Sequence, residues 1–101
     1  MLLTKLEKVI VLNLKGRISK ILNVSSRLKK EERKELESTF EAIDKLLLYS
    51  GKDLLKAKKT FQQSLQRTVG ILRNSTKEYV KEHIVPLMSK ISTNEWGRTN
   101  E

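Results

Sequence analysis

Residues 50–74, SGKDLLKAKKTFQQSLQRTVGILRN, constrain the fold more than any other stretch, because both ends and both faces of the segment are readable. Ser50 followed three residues later by Asp53 has the form of a helix-capping pair, with the hydroxyl accepting from an orphan backbone N–H and the carboxylate reaching back. At about 100° per residue, Leu54, Ala57, Phe61, Leu65, Thr68 and Leu72 share one side of a helix. Lys52, Lys56, Lys59, Gln63 and Gln66 fall opposite them, with Arg67 and Arg73 at the margins. One face therefore seeks a core, and the other seeks anions or water.

A chain of 101 residues holds one domain with one modest core. Two Phe, two Tyr and one Trp leave that core to Leu, Ile and Val, which suits helices packing through aliphatic ridges. Residues 1–24 carry an apolar series at helical spacing: Leu3, Leu6, Ile10, Leu14, Ile18 and Ile21. Val9, Val11, Leu12 and Leu22 lie off this stripe, so the segment holds more apolar surface than one interface consumes. These four residues are the expected contact for a protein partner or a second copy of the chain. Residues 8–14 are β-branched enough to read as helix or strand, and Gly16 is either a tolerated helix residue or a break.

Residues 23–26 form a polar joint, with Ser25 or Ser26 available to cap a second helix that runs to about Tyr49. Leu36, Phe40, Ile43 and Leu47 make its stripe, and its charged opening, RLKKEERKEL, is long enough to project beyond the core. Ser75 with Glu78 repeats the capping pattern before a fourth helix, where Val80, Ile84, Leu87 and Ile91 form the stripe. Pro86 lacks an N–H and crowds the Glu82 carbonyl, which predicts a kink, or a division at about Val85. Periodicity ends at Thr93. The expected architecture is an all-α antiparallel bundle of three to four helices over residues 1–92, with a flexible tail over 93–101 that contains Trp96.

The charge of +9 is unevenly placed. Residues 1–24 hold five basic residues and one acidic, and residues 51–74 hold six and one, whereas 25–50 and 75–101 are each balanced. In a square bundle the first and third helices are diagonal, which would present positive charge on two sides. Lys52, Lys56, Lys59, Gln63, Arg67 and Arg73 of the third helix, and secondarily Lys5, Lys8, Lys15 and Lys20 of the first, are the candidate nucleic-acid contacts. No aromatic residue interleaves with the basic face, so the pattern predicts phosphate contact with little base reading.

Catalytic chemistry finds little support. Cysteine is absent, His83 is the only histidine, and the four glycines form no phosphate loop or nucleophile elbow. Neither a cofactor nor a metal motif is present, and Glu37, Glu41 and Asp44 read as salt-bridge partners for basic neighbours rather than as a cation site. The expected function is that of a non-enzymatic, intracellular, cytoplasmic module, an accessory or structural subunit acting on or beside nucleic acid. An oligomeric adaptor built on the first helix is the alternative. Attachment to an anionic membrane surface is a third reading, disfavoured because the first helix has neither Trp nor Phe on its apolar face.

Overall fold

A computed structural model describes residues 3–24, 28–75 and 77–93. Three long helices, α1 (Lys5–Val24), α2 (Lys30–Leu48) and α3 (Lys52–Leu72), are followed by a π-helical turn (Val80–Ile84) that passes directly into α4 (Val85–Ser92). Each helix packs on its neighbour in the chain, and the π-turn and α4 return against α1. The neighbours run antiparallel: Glu35 of α2 meets Thr68 near the end of α3, while Leu46 faces Ala57 near its beginning. Lys15 meets Asp44 in the same sense, and Gln62 meets Ile91. The Cα radius of gyration, 13.3 Å, matches the value of about 13 Å for a packed 100-residue domain, so α1 is docked rather than extended.

The sequence of α1 settles as helix throughout. Val9, Ile10 and Val11 are helical despite their β-branches, and Gly16 is spanned without a break. Tertiary burial overrides the local preference, because helical geometry puts Ile10, Val11, Leu14, Ile18 and Ile21 together in the core, with Leu3 buried just ahead of the helix. The start of α1 carries a reciprocal cap that the sequence spells as Thr-x-x-Glu. The Thr4 N–H donates to Glu7 Oε1 at 2.9 Å, and the Glu7 N–H donates to Thr4 Oγ1 at 3.1 Å.

The expected caps of the other helices fall differently. The Ser50 and Asp53 pair does not form. Gly51 takes the N-cap of α3 at φ +65°, a left-handed region that favours glycine, and its carbonyl accepts from Leu54 N–H at 3.2 Å. With Gly51 at the cap, Ser50 stands one residue too early for its hydroxyl to reach the first turn. At α2 the Glu32 carboxylate accepts from the Lys29 N–H at 3.3 Å, while Ser25 and Ser26 lie outside the described residues. Ser75 accepts from the Lys77 N–H at 3.1 Å, so it orders the turn before the last helix without pairing with Glu78.

The buried face of α2 is rotated relative to the expected stripe. Leu36, Ile43 and Leu46 are buried together with Glu32 and Thr39, while Phe40 and Leu47 are half-buried at its edges. Because α2 sits between α1 and α3, its apolar face must serve two neighbours, and Phe40 turns toward α1, beneath Lys15. The charged opening of α2 does not project beyond the core, since Glu32 is buried within its first turn. Near Pro86 the Val85 N–H reaches back five residues to the Val80 carbonyl. A wider turn is favoured where the pyrrolidine ring would otherwise crowd the Glu82 carbonyl and leave it without a donor. The pattern changes from π to α at Val85 without a gap, and Val80, Ile84, Met88 and Ile91 are all buried. Met88, rather than Leu87, completes that face. Trp96 and the rest of the expected tail after Thr93 lie outside the described residues.

Candidate nucleic-acid interface

The buried and exposed faces of α3 follow from its register. Leu54, Phe61, Leu65, Thr68, Val69 and Leu72 are buried, which turns Lys52, Lys56, Lys59, Gln63 and Gln66 to solvent. No carboxylate lies within salt-bridge distance of Lys52, Lys56 or Lys59 among the described residues. They occupy positions i, i+4 and i+7, so their Cα atoms climb about 10 Å along the helix axis. Beyond Lys59 the same face changes character. Gln63 is exposed and uncharged, Gln66 donates its amide to the Ser92 carbonyl at 3.5 Å, and Gly70 has open space about it. The cationic part of this face is thus its first half, not its full length.

Arg67 lies 4.0 Å from Glu35 of α2, and the same carboxylate accepts from the Thr68 hydroxyl at 3.1 Å. Arg67 is nonetheless 69% exposed, so its pairing costs it little mobility. Arg73, the C-cap residue of α3, is exposed at the opposite end from the lysines.

The cations of α1 are arranged otherwise. Lys5 and Lys8 are exposed near its start, but Lys15 is drawn into the bundle. Its ammonium lies 2.6 Å from Asp44 and 5.0 Å from the centre of the Phe40 ring. That engagement removes Lys15 from the free set expected from sequence, because burial on the α2 side brings it within reach of an acid and an aromatic face. Lys20 stands 5.3 Å from the Tyr79 ring centroid. Arg17 donates to Asn13 and to the His83 carbonyl, a group in the π-turn. The apolar surplus of α1 is also narrowed. Val11 is fully buried and so is not open to a partner, because α1 packs against α2 on one flank and the returning chain on the other, while Leu22 is half-buried against the core. Val9 and Leu12 remain exposed, at 59% and 49%.

Lys58 is the functional-looking residue whose role the sequence pattern leaves unassigned. It sits on the flank of α3 and donates to Glu7 Oε2 across the diagonal of the bundle, 51 residues away. Glu7 is buried, and burial alone raises its carboxyl pKa. The hydrogen bonds from Lys58 and the Thr4 N–H, the nearby ammonium charge and the Thr4 hydroxyl outweigh that effect and hold Glu7 below its ordinary value of 4.5. The Thr-x-x-Glu spacing was the available signal for Glu7; nothing local marks Lys58 as its partner.

His83 is exposed and tilted against Tyr79, with ring centroids 5.0 Å apart. No group of three His, Cys, Asp or Glu side chains among the described residues is placed to hold a metal ion. Of Glu37, Glu41 and Asp44 on α2, Asp44 is the one in an ion pair among the described residues, with Lys15. Among the described residues no helix is long and apolar enough to cross a membrane. No family model, curated protein or solved structure matches the chain. The fold and this face together define an all-α bundle that carries an outward cluster of lysines.

Proposed function

We propose that the chain is a non-enzymatic, intracellular basic helical module that docks on nucleic acid through the phosphate backbone, as an accessory or structural subunit. One observation carries this reading: among the described residues Lys52, Lys56 and Lys59 stay exposed and without carboxylate partners, while Lys15, Lys58 and Arg67 are engaged within the bundle. Ammonium groups in water gain free energy on meeting a polyanion chiefly by releasing its condensed counterions. Three such groups imply a slope of about −3 in the logarithm of affinity against the logarithm of salt, from about 0.9 per neutralised phosphate. Lys5 and Lys8 belong to the diagonal helix and act secondarily. Without aromatic residues on the face, sequence preference is weak.

The test is a titration of an arbitrary duplex at two salt concentrations, with the wild type and the Lys56→Glu, Lys59→Glu double variant. Affinity falling with salt at roughly that slope, and lost in the variant while helicity by circular dichroism is kept, supports the reading. Absent or salt-insensitive binding removes it.

A second reading, an oligomeric adaptor using α1, is favoured by the exposure of Val9 and Leu12 three residues apart on one helix. Light scattering checks it: a mass above one chain that falls in Leu12→Lys supports the adaptor, and a single-chain mass excludes the oligomer.

A further inference from the structure

Where the turn at Ser50 and Gly51 joins α2 to α3, the two helices part into a groove of about 470 Å³. Its apolar lining comes from Ala42 and Leu46 on one side and Ala57 and Phe61 on the other. The groove has a cause in the sequence. Two alanines stand at this level of the interface, whereas Leu36, Ile43, Leu65 and Leu72 fill it elsewhere, and short side chains cannot close the gap between helix backbones. Its volume lies in the range of about 300–1,000 Å³ typical of small-molecule sites.

Two cations line the groove from opposite helices, Lys45 of α2 and Lys56 of α3. Both are exposed, and among the described residues neither is within ion-pair distance of a carboxylate. Asp53 also lines the groove and offsets part of their charge. The remaining combination is an apolar trough with a net positive rim. Leu48, Tyr49 and Leu55, exposed by 85%, 44% and 56%, extend the apolar surface around this end of the bundle.

We propose that this groove binds a small amphiphilic anion, a free carboxylate on an acyl chain of medium length. The chain lies over Ala42, Leu46, Ala57 and Phe61, and the carboxylate sits between Lys45 and Lys56. An apolar body alone would leave both ammonium groups unanswered, and a multiply charged polar anion would leave the trough uncovered. The site shares Lys56 with the outward face of α3 and is distinguished from it by Lys45, which belongs to α2.

The probe is sodium decanoate below its micelle-forming concentration, followed through the methyl resonances of Ala42 and Ala57, with decyltrimethylammonium as the cation of matched chain. Saturable shifts at both methyls with decanoate, at least tenfold weaker with the cationic probe, support the site. Ala57→Leu fills the trough and abolishes saturation. Lys45→Gln with Lys56→Gln keeps the fold, since both side chains are exposed, and weakens decanoate at least fivefold. Lys45→Gln alone weakens decanoate but leaves duplex affinity unchanged, which separates this site from the nucleic-acid reading. Equal binding of the two probes, shifts that never saturate, or an affinity indifferent to the double lysine substitution overturns the proposal. So does binding to anionic phosphatidylglycerol vesicles without any binding of monomeric decanoate.

Discussion

Helices α1 and α3 are nearly the same length, 20 and 21 residues, and the segments containing them carry similar charge, +4 and +5. Yet Lys15, Arg17 and Lys20 of α1 are turned onto an acid, a carbonyl and an aromatic ring, while Lys52, Lys56 and Lys59 of α3 face water. The difference is angular. Lys15 and Lys20 lie at the two flanks of the buried face of α1, where α2 and the π-turn pass within reach. Lys52, Lys56 and Lys59 lie about 135–165° from the centre of the buried face of α3, out of reach of either neighbour. Charge concentrated in a segment becomes charge available to a ligand only where no adjacent helix supplies an acceptor.

The sharpest way to break this comparison uses two consecutive lysines. Lys58→Ala removes the partner of the buried Glu7 and is expected to cost about 2–3 kcal/mol of unfolding free energy. Lys59→Ala, one residue along and exposed, changes stability by no more than about 0.5 kcal/mol. Urea denaturation of both variants at neutral pH decides it; equal losses would mean that the two positions are not energetically distinct.

Next in size is the pH dependence of the same contact. The folded Glu7 carboxyl is held below its ordinary value of 4.5, so the charged form is the one that folding favours. Its contribution is fully present above the unfolded pKa and is lost as pH falls through the lowered folded value. The stability gap between wild type and Glu7→Gln, measured by urea at steps from pH 7 to pH 3, should shrink below about pH 4.5. A gap that stays constant across the range contradicts the assignment.

Gly51→Ala tests the entry to α3, whose backbone at φ +65° disfavours any side chain although nothing lies within 4 Å of the added Cβ. The expected loss is about 1 kcal/mol, seen as a lower thermal midpoint with unchanged duplex affinity. A smaller loss than at Gly51 is expected at Lys15→Gln. Loss of a partly exposed ion pair and a ring contact should cost about 0.5–1 kcal/mol in denaturation and leave the slope of duplex binding against salt untouched. A shallower slope in this variant would return Lys15 to the free set.

The order of the helices, their approximate limits and their aliphatic stripes were legible because each depends on local spacing. Leu54, Phe61, Leu65, Thr68 and Leu72 of the third helix's stripe are buried, with Ala57 half-buried at the groove, and the helical pattern changes from π to α at Val85, the residue before the only proline. Details that depend on competition between residues were less legible. Gly51 displaced Ser50 from the cap because a positive φ suits glycine, and Met88 displaced Leu87 from the core because the π-turn shifts the angular register after Ile84. The candidate site divided along the same line. The outward direction of Lys52, Lys56 and Lys59 followed from the wheel, whereas the capture of Lys15 and the burial of Val11 required knowing that α1 has neighbours on both flanks.

By itself the sequence determined that this chain forms helices, which face of each is apolar, and that its basic excess falls on the first and third, since periodicity and composition act over one or two turns. Only the tertiary structure decided which lysines remain free. Lys58 and Lys59 are chemically identical neighbours, and what separates them is a rotation of about 100° together with the position of a carboxylate on the diagonal helix. Coulombic attraction and desolvation depend on distance through space, and that distance is set by how whole helices pack.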